Sequence, residues 1–118
     1  MTPKLAALGL DEVSLIRFLN DKLRINGAGG RVLITRGIHA LSERDCRVIV
    51  SMVRMFNTFT EDNDPHGEHD FGAFYTPGGL KIFWKIDYYD PSMESGSENP
   101  ANHEITVRVL TIILAEEY

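Results

Sequence analysis

The sequence predicts an α+β domain, a mainly antiparallel four-stranded sheet with two helices on one face and the element order α-β-α-β-β-β. Three observations carry this reading. Two helix-period stretches open on good N-caps, two β-prone arms flank Thr76-Pro77-Gly78-Gly79, and the C-terminal run is rich in Val, Ile and Thr. The 118 residues fit a single domain, 1–118, with residues 1–10 expected as a loose N-terminal segment. Folding a chain of this size buries roughly two-thirds of its unfolded surface, so a real core is expected.

The first helix is expected in "LDEVSLIRFLNDKLRING", with Asp11 as N-cap, Ile16, Leu19 and Leu23 on one stripe, and Gly27 as the stop. "AGGRVLITRG" follows, glycine-bounded and β-branched, and its consecutive Val32, Leu33 and Ile34 suit a short strand buried on both faces. The second helix has a capping box in Ser42 and Asp45 and a staple pair in Leu41 and Cys46; Ile49, Val50, Val53 and Phe56 continue its stripe. That phase makes Cys46 a small core residue rather than a nucleophile.

A hairpin is expected in "FGAFYTPGGLKIFWKIDYY", with Pro77 presetting φ and Gly78 taking φ > 0 in a type II turn. In its second arm Ile82, Trp84, Ile86 and Tyr88 alternate with Lys81, Phe83, Lys85, Asp87 and Tyr89, so one face points to the core and the other mixes rings with charges. "DPSMESGSENPANHE" has loop composition. For residues 105–118 both strand and helix remain open, but β-branching and the acidic Glu116-Glu117 end, ill-suited to a helix C-terminus, favour a long central strand beside "KIFWKIDYYD".

With 43% hydrophobic and 25% charged residues, the composition is that of a globular domain and not a disordered one. No signal-peptide pattern or membrane-length apolar run is present, so the expected location is the cytoplasm, with no membrane partner. One cysteine excludes an internal disulfide. Charge is divided unevenly. Residues 1–60 carry nine Lys or Arg against five Asp or Glu, a balance of +4, and residues 61–118 carry three against twelve, a balance of -9. An acidic second half argues against direct nucleic-acid binding there and for a protein partner with a basic surface. A homo-oligomer stays open.

The densest polar chemistry is "EDNDPHGEHDFG", residues 61–72, with five carboxylates and two histidines. Its first reading is a built turn, since Asp and Asn bond their own backbone, Pro65 fixes φ and Gly67 admits φ > 0. Its second reading is an acidic recognition surface. Its third is a metal or catalytic site. Asp62, Asp64 and His66 copy the opening of a calcium loop, but the twelfth position is Ala73, where a bidentate glutamate is required. A zinc site would draw on His66, Glu68, His69 and Asp70, with His39 or His103 as a further ligand. Acid-base chemistry would use His69 as the titrating group, oriented by Asp70 or Glu68, with Asp87 or Tyr88 from the next strand. Ser92, Ser95 and Ser97 sit in a flexible-looking loop, and no phosphate-cradling or nucleophile-elbow motif is present, so no cofactor is expected.

The residues "GGRVLITRGIHAL", "FTEDNDPHGEHDFGAF", "FWKIDYYD" and "RVLTIILAEEY" resemble the pattern of a bacterial, mainly alphaproteobacterial family, domain of unknown function 3768, from Ser14 to the C-terminus. At His66 the chain departs from that pattern, in which tyrosine is more usual. The resemblance implies a cytosolic protein of bacteria and their mobile elements, and no activity. The expected role is a small acidic binding or inhibitor protein, for which an anti-CRISPR-like action on a nucleic-acid-binding defence complex is the most concrete version. Asp62, Asp64, Glu68, Phe83, Lys85, Asp87, Tyr89 and Asp90 would face the partner. The alternative is a metal-assisted hydrolase built on loop 61–70.

Overall fold

The computed structural model describes residues 11–118, so the expected loose segment 1–10 lies outside the described residues. Helix α1 (Glu12–Asn26) begins at Asp11, whose carboxylate accepts the Ser14 N–H at 2.7 Å, and stops at Gly27, which takes φ 70° and donates to the Leu23 carbonyl. Strand β1 (Arg31–Ile34) leads into a single helical turn, α2 (Arg36–His39). Helix α3 (Glu43–Met55) opens on Ser42, whose hydroxyl accepts the Asp45 N–H at 3.0 Å. Then come β2 (Phe71–Tyr75), β3 (Lys81–Tyr89) and β4 (Val107–Leu114), with 3₁₀ turns at His103–Ile105 and Ala115–Glu117.

The architecture is α+β, with a four-stranded mixed sheet ordered β1-β4-β3-β2 and three helices. This corrects the expectation of a mainly antiparallel sheet with two helices. The hairpin β2–β3 and the pair β3–β4 are antiparallel, but β1 runs parallel to β4. Turn signals specify only strands adjacent along the chain. The β1–β4 pairing closes over the long crossover through α2, α3 and the hairpin, a connection that a parallel pair requires and no local motif announces. The unexpected helix α2 has one turn, too short for a periodicity to register, and its N-cap Thr35 makes no side-chain capping bond.

The strand expectation for the C-terminal run holds over Val107–Leu114, which lies inside the sheet between β1 and β3. Three local expectations need correction. The β1 strand is not buried on both faces, because it sits at the sheet edge with all four residues exposed. Positive φ in the hairpin turn falls at Gly79 (87°), not Gly78, because the Gly79 N–H bonds the Thr76 carbonyl and Gly79 then redirects the chain so that the Thr76 N–H meets the Leu80 carbonyl. Cys46 is half-buried rather than enclosed; its Sγ lies 3.1 Å from the Ile38 carbonyl, at the margin of the core.

All three helices pack on the face formed by even-numbered residues. Ile82, Trp84 and Ile86 of β3 and Leu110, Ile112 and Leu114 of β4 form one buried cluster with Leu23, Ile38, Ile49 and Val53. Leu15, Ile16, Leu19 and Ala101 form a second, joined to the first through Tyr88. Gly72 belongs to this face by necessity, since an added Cβ would collide with the Trp84 indole and the Phe56 ring. The opposite, odd-numbered face contributes to neither cluster.

Candidate functional site

The acidic loop is built from its own side chains. The Asn63 carboxamide oxygen accepts the Thr60 N–H at 2.9 Å, and its amide donates to the Thr58 carbonyl at 2.7 Å. The Asp64 N–H donates to the Thr60 carbonyl at 2.8 Å, and Gly67 takes φ 69°. The Asp64 carboxylate is buried and accepts the His69 N–H at 3.1 Å.

His69 itself takes φ 55°, a left-handed conformation that costs a non-glycine residue energy. Strand alternation would aim residue 69, like Phe71, at the odd face. The positive φ instead turns the ring to the helix side, where it stacks on Phe59 with centroids 3.6 Å apart. Its Nδ1 lies 2.9 Å from Asp21 Oδ1 on α1, and its Nε2 lies 3.7 Å from Asp64 Oδ2. Both nitrogens therefore face protein carboxylates. Nδ1 is within hydrogen-bond distance of Asp21, whereas Nε2 is too far from Asp64 for a hydrogen bond, so the Asp21 contact is the one that fixes the ring.

Asp21 also pairs with Arg24 at 3.2 Å. The buried Arg24 guanidinium donates to the carbonyls of Val53, Arg54 and Phe56 at 3.0, 3.2 and 2.8 Å, placing a cation on the C-terminal end of α3. The set runs from the end of α3 through Arg24, Asp21 and His69 to Asp64, and it is a brace between helices and loop.

A second buried network lies beside it. The Tyr88 hydroxyl donates to Glu68 Oε1 at 2.8 Å and accepts from the Asn20 amide at 2.8 Å. Asn20 Oδ1 accepts from Arg108 Nε at 3.0 Å, and the Arg108 guanidinium also reaches the Pro100 carbonyl. Burial pushes the Tyr88 phenol above the usual tyrosine range and Arg108 below the usual arginine range. Burial, with Glu68 nearby, holds the Asp70 carboxyl above the usual carboxylate range.

The odd-numbered face is different in kind. Phe71 and Phe83 lie 5.6 Å apart by ring centroid, and Tyr118 meets Phe83 edge-on at 5.3 Å. Lys81 sits over the Phe83 ring at 5.4 Å and over Tyr75 at 5.6 Å. Lys85 bonds Asp87 at 2.6 Å, and that bond raises the lysine above its ordinary value. Beyond β3 the chain turns at Asp90, whose carboxylate is held below the usual range by the Ser92 hydroxyl, and returns to pair Gly96 with Tyr89. Exposed Glu94, Glu98 and Glu104 lie in this turn and the segment that follows it.

The expected site residues are thus divided between the two sides of the sheet. Phe83, Lys85, Asp87 and Tyr89 share the odd face, with Asp90 at its end. Asp64 and Glu68 are committed to internal bonds on the helix side, while Asp62 and His66 are exposed in the loop. The expected catalytic trio of His69, Asp70 and Asp87 is not assembled, because the Asp87 carboxylate is held by Lys85 on the face opposite the His69 ring. Likewise, among the described residues no three His, Cys, Asp or Glu side chains form a group that could hold a metal ion.

Sequence reasoning missed Asn20, Arg24 and Arg108. A signal existed: Asn20 and Arg24, four apart, interrupt the apolar stripe of α1, and Arg108 alternates in phase with Leu110 and Ile112. Polar residues in core phase announce buried partners.

Comparison with known proteins gives one family match: the family described as protein of unknown function (DUF3768) covers residues 34–117, from the last residue of β1 to the C-terminal turn. No curated protein and no solved structure matches the chain.

Proposed function

Because this chain belongs to the family of proteins of unknown function DUF3768, whose description carries no activity, we propose a role from its surfaces: a non-catalytic binding module of the cytosol that docks a protein partner on the odd-numbered sheet face. One observation carries the proposal. Phe71, Phe83 and Tyr118 form a continuous aromatic row on a face to which no helix of the described residues contributes core. Aromatic side chains on such a surface supply contact area at low entropic cost. Asp87, Asp90, Glu94 and Glu98 lie along and beyond the end of β3, so the partner chemistry that fits is basic. A nucleic-acid-holding defence complex, inhibited by occupation of its phosphate-binding surface, is the most concrete version of that partner.

The test is affinity capture from the host, using the parent chain, Phe83→Ser and a variant with Asp87, Asp90, Glu94 and Glu98 neutralised. The proposal expects a basic partner retained by the parent, lost with Phe83→Ser and weakened by neutralisation. A partner held equally by all three proteins removes the sheet face from consideration.

A further inference from the structure

Strand β1 ends the sheet, and among the described residues half of its main-chain groups have no strand partner. The Thr35 N–H donates to the Ile112 carbonyl at 3.1 Å, and alternation along a parallel strand then turns the N–H and C=O groups of Val32 and Ile34 away from β4. Among the described residues no strand pairs with that outer edge. Val32, Leu33 and Ile34 are 41%, 51% and 39% exposed, an apolar run where edges are ordinarily guarded by charge, proline or a bulge.

A cleft follows the same edge on the helix side. Between β1 and α3 lies a lobe of 440 Å³ lined by Ile34, Leu41 and Cys46, and it adjoins, through Cys46 and Arg47, an open hollow of 510 Å³ on α3 itself, lined by Cys46, Val50 and Met55. A narrow crevice lined by Val32 and Val50 lies between the same two elements. The rim is basic. Arg47 and Arg54 line it, and Arg54 has no ion-pair partner among the described residues; the single rim carboxylate, Glu43, stands 3.9 Å from Arg47 in an exposed pair of little strength.

We propose that the β1 edge and this cleft bind an acidic extended peptide segment of another protein, which adds a strand antiparallel or parallel to β1 and sends alternate apolar side chains into the cleft. Unused strand hydrogen bonds supply affinity in this mode, pockets for every second residue supply specificity, and the arginines select carboxylates on the peptide. The same rim opposes a second copy pairing edge to edge, since Arg47 and Arg54 of both copies would be brought together. The site draws on the basic first half of the chain and is separate from the sheet face proposed above, which it does not require.

The probe is a capped heptapeptide alternating Glu and Val, titrated into the ¹⁵N-labelled full chain, with a Lys-and-Val heptapeptide as the control. The proposal expects the Val32 and Ile34 amides to shift and become protected from exchange with the acidic peptide, and the basic peptide to bind about tenfold or more weakly. Val32→Pro deletes an outward N–H without touching a β4 bond and should abolish binding. Arg47→Glu with Arg54→Glu, both exposed, should do the same with the amide spectrum of the fold retained, which covers the case of a proline variant that fails to fold. Equal binding of both peptides, or no binding of the acidic one, overturns the proposal. So does dimerisation of the free chain with protection of these two amides. Displacement by a single-stranded oligonucleotide that shifts the arginines but leaves the Val32 and Ile34 amides unchanged would also overturn it, since the rim would then be only an anion surface.

Discussion

His69 Nδ1 lies 2.9 Å from Asp21 Oδ1, joining the acidic loop to a helix 48 residues earlier in the chain. The bond decides what the most suggestive histidine of the sequence does. Together with the Phe59 stack and the Asp64 carboxylate, it commits the ring to holding loop against helix.

Replacing His69 by Ala should therefore lower stability by about 2 kcal/mol, the scale of a hydrogen bond to a charged group lost with its partner left behind. Urea unfolding of His69→Ala, Asp21→Ala and the double variant measures the coupling. Strictly additive losses would mean that the pair does not act as a unit.

Arg24 holds three carbonyls at the end of α3 and pairs with Asp21. Arg24→Met should cost about 3 kcal/mol, because the carbonyls lose their donor and the macrodipole its cation. Arg24→Lys should fall between the two, retaining charge without the fork. A Lys variant as stable as the parent would show that charge alone suffices.

Acid should act on this fold in two opposite senses. The Glu117 carboxylate accepts from Thr35 at 2.6 Å and from the Gly37 and Leu114 N–H groups, and the Thr35 bond leads in holding it below the usual value of 4.5. A depressed folded pKa contributes stability above the unfolded value and loses it as pH falls through the folded one. Glu117→Gln should accordingly flatten the acid limb of a melting-temperature profile.

Asp70 is raised above 3.8 by burial, so its sign is reversed. Its ionised form is penalised in the fold once pH exceeds the raised value, and the penalty vanishes below the unfolded one. Asp70→Asn should gain stability near neutral pH and gain none below the ordinary Asp range. Melting temperatures at pH 3 and pH 7 separate these outcomes, and a gain of equal size at both would contradict the sign.

If the end of β3 steers a basic partner, neutralising Asp87, Asp90, Glu94 and Glu98 together should slow association and reduce its dependence on salt, while unfolding is barely affected. Association rates at two ionic strengths decide it. An unchanged rate at low salt would leave these carboxylates a solubility feature.

Elements whose specification is local can be read from the residues alone. Asp11, Ser42 and Gly27 supply the caps that start and stop the long helices, Trp84 and its even-numbered neighbours declare the core face by alternation, and Phe83, Lys85 and Tyr89 declare the other face. Turn chemistry in 61–70 was legible too, because Asn63, Asp64 and Gly67 act on backbone a few residues away. The remainder is set by long-range packing. Whether β1 lies inside the sheet or at its edge, and parallel or antiparallel to β4, depends on a crossover that leaves no periodic trace. The direction of His69 depends on a positive φ that reverses alternation at one residue and is held in place by Asp21 and Phe59, both distant in sequence. Pairings of this range are selected by the packing of the whole core, and no short stretch of residues contains that information.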